Sequence, residues 1–290
     1  MRKRIASLIC AAAALLSLLT GCRGDAKSAS SDDGWSLVTA KSALTVGVYT
    51  DRFPMAYTNE SEISGYDVDL MTEVALRLGV NAKFVSLNEK RDTADVLLNQ
   101  SKIDCAIGAI PYSAELERTY LLSEPYLTDR KLLVMKQDGE MKDLADFAGK
   151  VLAMTQTMQD GSSIAESPLF LASFASIEYP QTDEAAVNLL LDGTADAAVV
   201  KQTVADYFIT NEKSICYLAN DTDGVEMFGT MQYVVAFSLK NSALQKKVAE
   251  AYATMVRDGV VEALQTKWFG DIDPTHRTKS ALEKTAQAAE

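Results

Sequence analysis

The residue types that most often do covalent or metal chemistry are scarce in this 290-residue chain. It has one histidine, His276, near the C-terminal end, so neither a histidine-based triad nor a histidine metal site can be assembled. Its four cysteines, Cys10, Cys22, Cys105 and Cys216, show no CxxC spacing. Cys105 sits in the apolar run Ile103-Asp104-Cys105-Ala106-Ile107, so it and Cys216 read as free small hydrophobes rather than a disulfide. No cofactor is expected. Charge is the other chemical resource: 40 acids against 28 bases give a net −12. That balance argues against wrapping nucleic acid and against a polybasic membrane-surface role. It leaves room for a basic pocket inside an acidic shell. With 48% hydrophobic and 23% charged residues, the chain has the composition of one large or two medium globular domains.

The remaining chemical motif is at the N-terminus. Arg2, Lys3 and Arg4 precede an apolar run, Ile5 to Leu19, that is too short for an ordinary membrane span of about 20 residues. Leu19-Thr20-Gly21-Cys22 then resembles a bacterial lipobox, in which Cys22 would be acylated and become the new N-terminus. Residues 1–21 are therefore expected to be a lipoprotein signal, and their loss would take the net charge from −12 to −15. Two or more acyl chains anchor stably, so the mature protein is expected extracytoplasmic and membrane-tethered. Residues 22–39, rich in Ser, Ala and Asp, read as a flexible linker.

The body alternates β-rich runs with amphipathic helical runs, an α/β pattern. Leu44–Tyr49 reads as a strand. Tyr66–Leu78 reads as a helix, with Asp67 as N-cap and Gly79 as its stop. Strands are expected at 83–86, 105–110, 131–135, 151–154, 197–200 and 231–237. Helices are expected at 93–100, 182–191, 242–257 and 260–268, and 271–290 is a polar tail. There is an internal echo: Leu97 to Ile107 and Leu189 to Val199 each run helix, tight turn, Asp, buried strand. Two such units suggest two similar α/β lobes.

At this level of detail the chain resembles the bacterial extracellular solute-binding proteins of the amino-acid-binding family, the receptors of ABC importers. The resemblance spans about 44–270. It rests on Leu44-Thr45-Val46-Gly47-Val48, Gly65-Tyr66-Asp67-Val68-Asp69-Leu70, Lys102-Ile103-Asp104 and Ser123-Glu124-Pro125-Tyr126. Further on come Asp196-Ala197-Ala198-Val199-Val200, Asp258-Gly259 and Lys267-Trp268-Phe269-Gly270. The resemblance implies two α/β lobes joined by a two-strand hinge, a periplasmic binding protein type 2 fold. Lobe 1 would comprise 40–128 plus 232–270 and lobe 2 132–228, with hinges near 127–132 and 226–233. It implies a monomeric receptor that closes on a small-molecule solute and presents it to ABC permease subunits.

Not all of the family's amino-acid pocket is present. The Arg that clamps an α-carboxylate would fall at Leu116, and a neighbouring hydroxyl position is Pro111. Arg118 is two residues away, which turns it by about 200° on a helix. The Asp that accepts an α-ammonium is Lys201, which can only donate. Two aromatic positions become Arg52 and Arg91, and Met55 takes a third and is expected to fill core. Ser113 keeps a hydroxyl position, and Glu115 is a candidate counter-charge. Thr155-Gln156-Thr157, or Gly161-Ser162-Ser163, would offer donors from lobe 2. The ligand-binding set expected from the resemblance is thus Arg52, Arg91, Ser113, Glu115, Thr155, Thr157 and Lys201, reading a solute with one or more anionic groups. The alternative is that the arginines face solvent and Lys201 pairs with an acid of its own chain. A dehydratase-like enzyme on the same scaffold, using Glu115 and Lys201 as an acid–base pair, and a ligand-sensing surface protein are the competing functions.

Overall fold

The computed structural model describes residues 34–88, 90–91, 93–137, 144–159, 164, 168–211, 215–220, 224–225 and 227–270. The expected signal, Cys22, most of the expected linker, Gly161-Ser162-Ser163, Glu226 and the tail from Asp271 with His276 lie outside them.

One mixed sheet runs through the molecule. Its first half is built from β1 (Ala43–Tyr49), β5 (Asn81–Leu87) and β6 (Cys105–Pro111), with β1 parallel to both neighbours. A small antiparallel sheet, β2 (Asp51–Arg52), β3 (Ala56–Asn59) and β4 (Glu62–Ser64), follows β1. Helix α1 (Gly34–Lys41) precedes β1. Helices α2 (Tyr66–Arg77), α3 (Ala94–Asn99) and α4 (Ala114–Thr119) follow β4, β5 and β6, and β7 (Leu121–Leu122) follows α4.

The long strand β8 (Leu127–Lys136) leads to the second half, where β9 (Val151–Ala153), β10 (Ser176–Glu178) and β11 (Ala197–Lys201) are parallel. Its helices are α5 (Gln156–Gln159), α6 (Pro168–Ser173), α7 (Asp183–Asp192) and α8 (Gln202–Asn211). Strand β12 (Ile215–Tyr217) pairs with β8, and β13 (Ala219–Asn220) pairs with β14 (Gly224–Val225). Strand β15 (Met227–Phe237) returns to the first half, which α9 (Ser242–Arg257) and α10 (Val260–Phe269) complete.

The order β10-β9-β11-β8-β15-β6-β1-β5 puts β8 and β15 side by side in the middle. β8 pairs with β15 over Leu127–Leu132 and with β11 over Lys131–Met135. β15 pairs with β8 over Met227–Tyr233 and with β6 over Tyr233–Phe237. The two α/β lobes are thus joined by two antiparallel strands, as the resemblance implies. Each half has apolar clusters on both faces of its parallel strands. In the first half these centre on Leu44, Tyr66 and Phe237, and on Leu98, Ile103 and Val234; in the second, on Phe147 and Leu152, and on Val187 and Val200.

Two local expectations need correction. The last residues of the expected linker, 34–39, belong to helix α1, because Val38 is fully buried in the first-half core and Trp35 packs against it. Asp67 is not an N-cap. The N–H groups of Tyr66 and Asp67 donate to the carbonyls of Pro54 and Met55, and the Asp67 side chain turns into the core. That close approach explains Gly65, at φ 136°: a Cβ there would lie 2.3 Å from the Met55 carbonyl oxygen.

The sequence echo is a structural device. Asp104 N–H donates to Thr45 O, while Thr45 N–H donates to Asp104 Oδ2 at 2.6 Å. Asp196 N–H donates to Val151 O, while Val151 N–H donates to Asp196 Oδ2 at 2.9 Å. Each Asp thereby pins the start of its half's first parallel strand, and each has a lysine beside it, Lys41 at 2.7 Å and Lys150 at 3.7 Å. The Asp104 side chain is 7% exposed and that of Asp196 36%. Asp104→Ala should therefore cost about 2–3 kcal/mol, and Asp196→Ala about 1 kcal/mol, read as the loss in urea-unfolding free energy; equal costs would contradict this ordering.

Candidate functional site

Around the middle strands, the polar groups form one buried chain. Asp129, on β8, is fully buried. Its carboxylate accepts from Thr203 N–H at 3.2 Å, Thr203 Oγ1–H at 2.8 Å, Tyr233 O–H at 2.9 Å and Arg130 N–H at 2.9 Å. Burial pushes this carboxyl up, and the Thr203 donors, Lys201 and Tyr233 oppose the rise. Tyr233 is also 1% exposed, and its ring lies 6.4 Å from that of Tyr126. Tyr126 donates to Asp67 Oδ2 at 3.0 Å, and Ala109 N–H donates to the same oxygen at 2.9 Å. Ala109 has φ 47°, so this amide is held in a left-handed conformation by a buried carboxylate.

Arg52 closes this chain. Its Nη1 donates to the carbonyls of Gly108 and Ala109 at 2.7 and 3.1 Å, and its guanidinium lies over the Tyr49 ring, 4.2 Å from the centroid. Gly108, at φ 117°, lets β6 lie close against Tyr49 of β1: a Cβ there would meet Tyr49 N at 2.8 Å. Asp67 is pushed up from 3.8 to about 7, because burial outweighs Ala109, Tyr126 and the Arg52 charge.

Lys201 ends β11, two residues before Thr203. Its Nζ lies 2.5 Å from Oδ2 of Asp183, the first residue of α7. The acid that pairs with Lys201 is therefore Asp183. Glu115 is exposed on α4, so the expectation that it supplies the counter-charge is corrected. The Tyr233 phenol is pushed up by burial, by Asp129 and by the Asp183 charge, and lowered by the Arg52 charge. The halves also touch through rings. Phe53, next to Arg52, meets Tyr207 and Phe208 of α8 at 4.7 and 6.2 Å, and Tyr207 stacks on Trp268 of α10 at 6.4 Å.

The other expected site residues are less central. Thr155 is buried and caps α5, accepting from Met158 N–H, and its hydroxyl meets that of the exposed Thr157 at 3.1 Å. Ser113 is exposed and spends its hydroxyl capping α4, where Leu116 N–H donates to it. Arg91 lies exposed in the turn before α3, with its backbone N–H on Asn88 Oδ1, so it is not drawn into the buried chain. Arg118 is exposed, while Leu116 packs partly buried against the α3 side of the sheet. Met55 fills core. Sequence reading overlooked Asp129 and Asp183. A lone acid inside the strand Leu127–Lys136 was a usable signal for Asp129. Nothing local marks Asp183, which reads as an ordinary first-turn acid.

A family model for bacterial extracellular solute-binding proteins, family 3, matches residues 44–271. The L-cystine-binding protein TcyA of Bacillus subtilis (strain 168) is 26% identical over 243 residues, which is 82% of this chain and 85% of TcyA. Among solved structures, the ancestral cationic amino acid solute binding protein AncCDT-1 aligns with a TM-score of 0.69 at 23% identity, over 81% of this chain and 99% of that one. A polar amino acid ABC uptake transporter substrate binding protein from Streptococcus thermophilus also gives 0.69, at 18% identity, over 90% and 97%. These two likenesses bear on the fold.

The Asp67 carboxyl makes stability depend on pH. Between about pH 4 and 7 the folded chain keeps a proton that the unfolded chain has released, so stability falls as pH rises through that window. The slope has a ceiling of about 1.4 kcal/mol per pH unit. Asp67→Asn should flatten this stretch of a denaturation-against-pH curve, and an unchanged slope would show that Asp67 does not titrate there.

Proposed function

This chain belongs to the bacterial extracellular solute-binding proteins of family 3, and from that premise we propose that it is the lipid-anchored receptor of an ABC importer, capturing a small carboxylate-bearing, amino-acid-like solute between its two lobes. The solute-binding family and the extracytoplasmic setting are shared with the relatives. Acylation at Cys22, a monomeric state, the lobe limits given above and the altered pocket are the finer parts of this reading.

The observation that carries it is the placement of Arg52. The guanidinium that the family would supply from position 116 is gone, yet Arg52 brings another to the Gly108 and Ala109 carbonyls. These carbonyls begin the segment in which the missing clamp would lie. A guanidinium carries five donors in a flat fork, the geometry that suits a carboxylate. Lys201 adds a cation from the second half; its side chain is 34% exposed although its partner Asp183 is 5% exposed. Ser113, Thr155 and Thr157 complete the proposed set, and the exposed Arg91 is its outermost member. Nothing in this arrangement needs a catalytic group, so the protein is expected to bind its solute unchanged.

Calorimetry with neutral, basic and acidic amino acids and with dicarboxylates tests the reading. The solute that binds should carry a carboxylate and remain chemically unaltered. Arg52→Ala and Lys201→Ala should each weaken it at least tenfold, the scale of one lost charge-assisted hydrogen bond. Tight binding of a neutral or basic α-amino acid that ignores Lys201→Ala would overturn it.

A further inference from the structure

The joining strands β8 and β15 are not the only place where the two halves meet. Helix α8, in the second half, turns one face to the first. Thr203, Tyr207 and Thr210 fall at i, i+4 and i+7, the spacing of a single helical face. Thr203 donates to Asp129 on β8, and Thr210 Oγ1 donates to the Phe269 carbonyl at the end of α10 at 3.2 Å. Tyr207 lies between these two anchors and enters a socket of three rings from the first half. Its ring centroid is 4.7 Å from that of Phe53 and 6.4 Å from that of Trp268. Phe53 is 5.0 Å from Tyr57, and Tyr57 is 6.3 Å from Trp268, so the four rings close a circuit. All four spacings lie in the range of about 4.5–7 Å at which aromatic pairs attract.

The exchange between the halves is reciprocal. Phe53 packs on the second-half cluster of Val187 and Val204, while Tyr207 packs on the first-half cluster of Leu44 and Tyr66. The backbone is shaped for the contact as well. Gly270, at φ 75°, ends α10, and a Cβ there would overlap Thr210 Oγ1 and push α8 away. Two strands already join the halves covalently, so the rings are not needed for that purpose. At 1.5 Å per residue, Tyr207 and Thr210 stand about 6 and 10 Å along α8 from Thr203. A contact held that far from the joining strands must break when the halves swing apart, whereas the strands only bend. We infer that Tyr207 in its socket of Phe53, Tyr57 and Trp268 is a latch that holds the two halves together without solute. The latch rests on the two-lobe fold and not on the receptor reading, so its failure would leave that reading untouched.

Double electron–electron resonance between two spin labels tests the latch on the full chain, stripped of bound solute by unfolding and refolding. Gln100, after α3, and Asn188, on α7, are exposed and lie one in each half, so each is replaced by cysteine for labelling. Cys105→Ala and Cys216→Ala remove the native thiols. The parent should give one narrow distance distribution. Tyr207→Ala and Phe53→Ala should each raise the share of a second, displaced population roughly tenfold, the scale of one lost aromatic pair. Tyr207→Phe keeps the ring and should match the parent. An unchanged distribution in both alanine variants would overturn the latch and make the rings part of a rigid joint. A parent already spread over two populations would overturn it too, because the contact would not hold. Tyr207→Leu is the further variant should Tyr207→Ala not fold. Loss of the cooperative melting transition in every ring-removing variant would also overturn the proposal, since the rings would then be core.

Discussion

A carboxylate with no access to water must be surrounded by donors, and Asp129 is the place where this fold meets that demand. It sits on one of the two strands that join the halves. Its donors come from the other joining strand, through Tyr233, and from the start of α8, through Thr203. Removing such a group's partners would strand a buried charge, so loss of any one of these contacts is costly and the three elements are held in one register. Lys201 precedes Thr203 by two residues, so its position at the end of β11 is set by the same contacts. On the other side, Tyr233 packs on Tyr126, Tyr126 holds Asp67, Asp67 holds the Ala109 amide, and the Ala109 carbonyl holds Arg52. The two cations proposed to meet the solute are thus the ends of a single buried chain of polar and aromatic groups that crosses between the lobes.

That chain also explains how an acidic protein accommodates cations at its centre. Each of the buried acids has basic or donor partners: Asp67 has Arg52 nearby, Asp129 has Lys201, and Asp183 is paired with Lys201 directly. The overall charge of −12 is a property of the solvent-facing residues and of solubility. It has no bearing on the sign of the field where Arg52 and Lys201 stand.

The parts of the fold that were legible in the sequence are those in which a motif's residues bond to each other. Asp69 of Gly65–Leu70 accepts from both Lys267 and the Trp268 indole, so the second and last landmarks are two sides of one contact. Arg77 reaches Asp258, and Tyr126 of Ser123–Tyr126 reaches Asp67. The Asp of each echo bonds back to the strand that opens its half. Such residues have spacings dictated by backbone geometry, and pattern reading recovers them. The site was less legible because its partners are set by side-chain direction across long separations. Counting positions put Arg52, Arg91 and Lys201 into one expected set. Yet Arg52 turns inward onto Tyr49, Arg91 stays in an exposed turn, and Lys201 finds an acid on another helix. Helix α1 was missed for a related reason: in a segment of eight residues whose apolar members include the exposed Leu37, there is no clear periodicity to detect.

Loss of a familiar binding residue need not mean loss of the binding chemistry. The resemblance puts an acid at position 201, where this chain has a lysine that by itself would repel an ammonium. Asp183 lies within bonding distance of that lysine, so the local charge of the pair is near zero. The resemblance puts a guanidinium at position 116, where this chain has leucine, and Arg52 of β2 brings one to the Gly108 and Ala109 carbonyls. In both cases the charge is supplied from a different element. Selectivity has therefore to be read from the arrangement of Arg52, Lys201 and Asp183 rather than from the relatives' ligands.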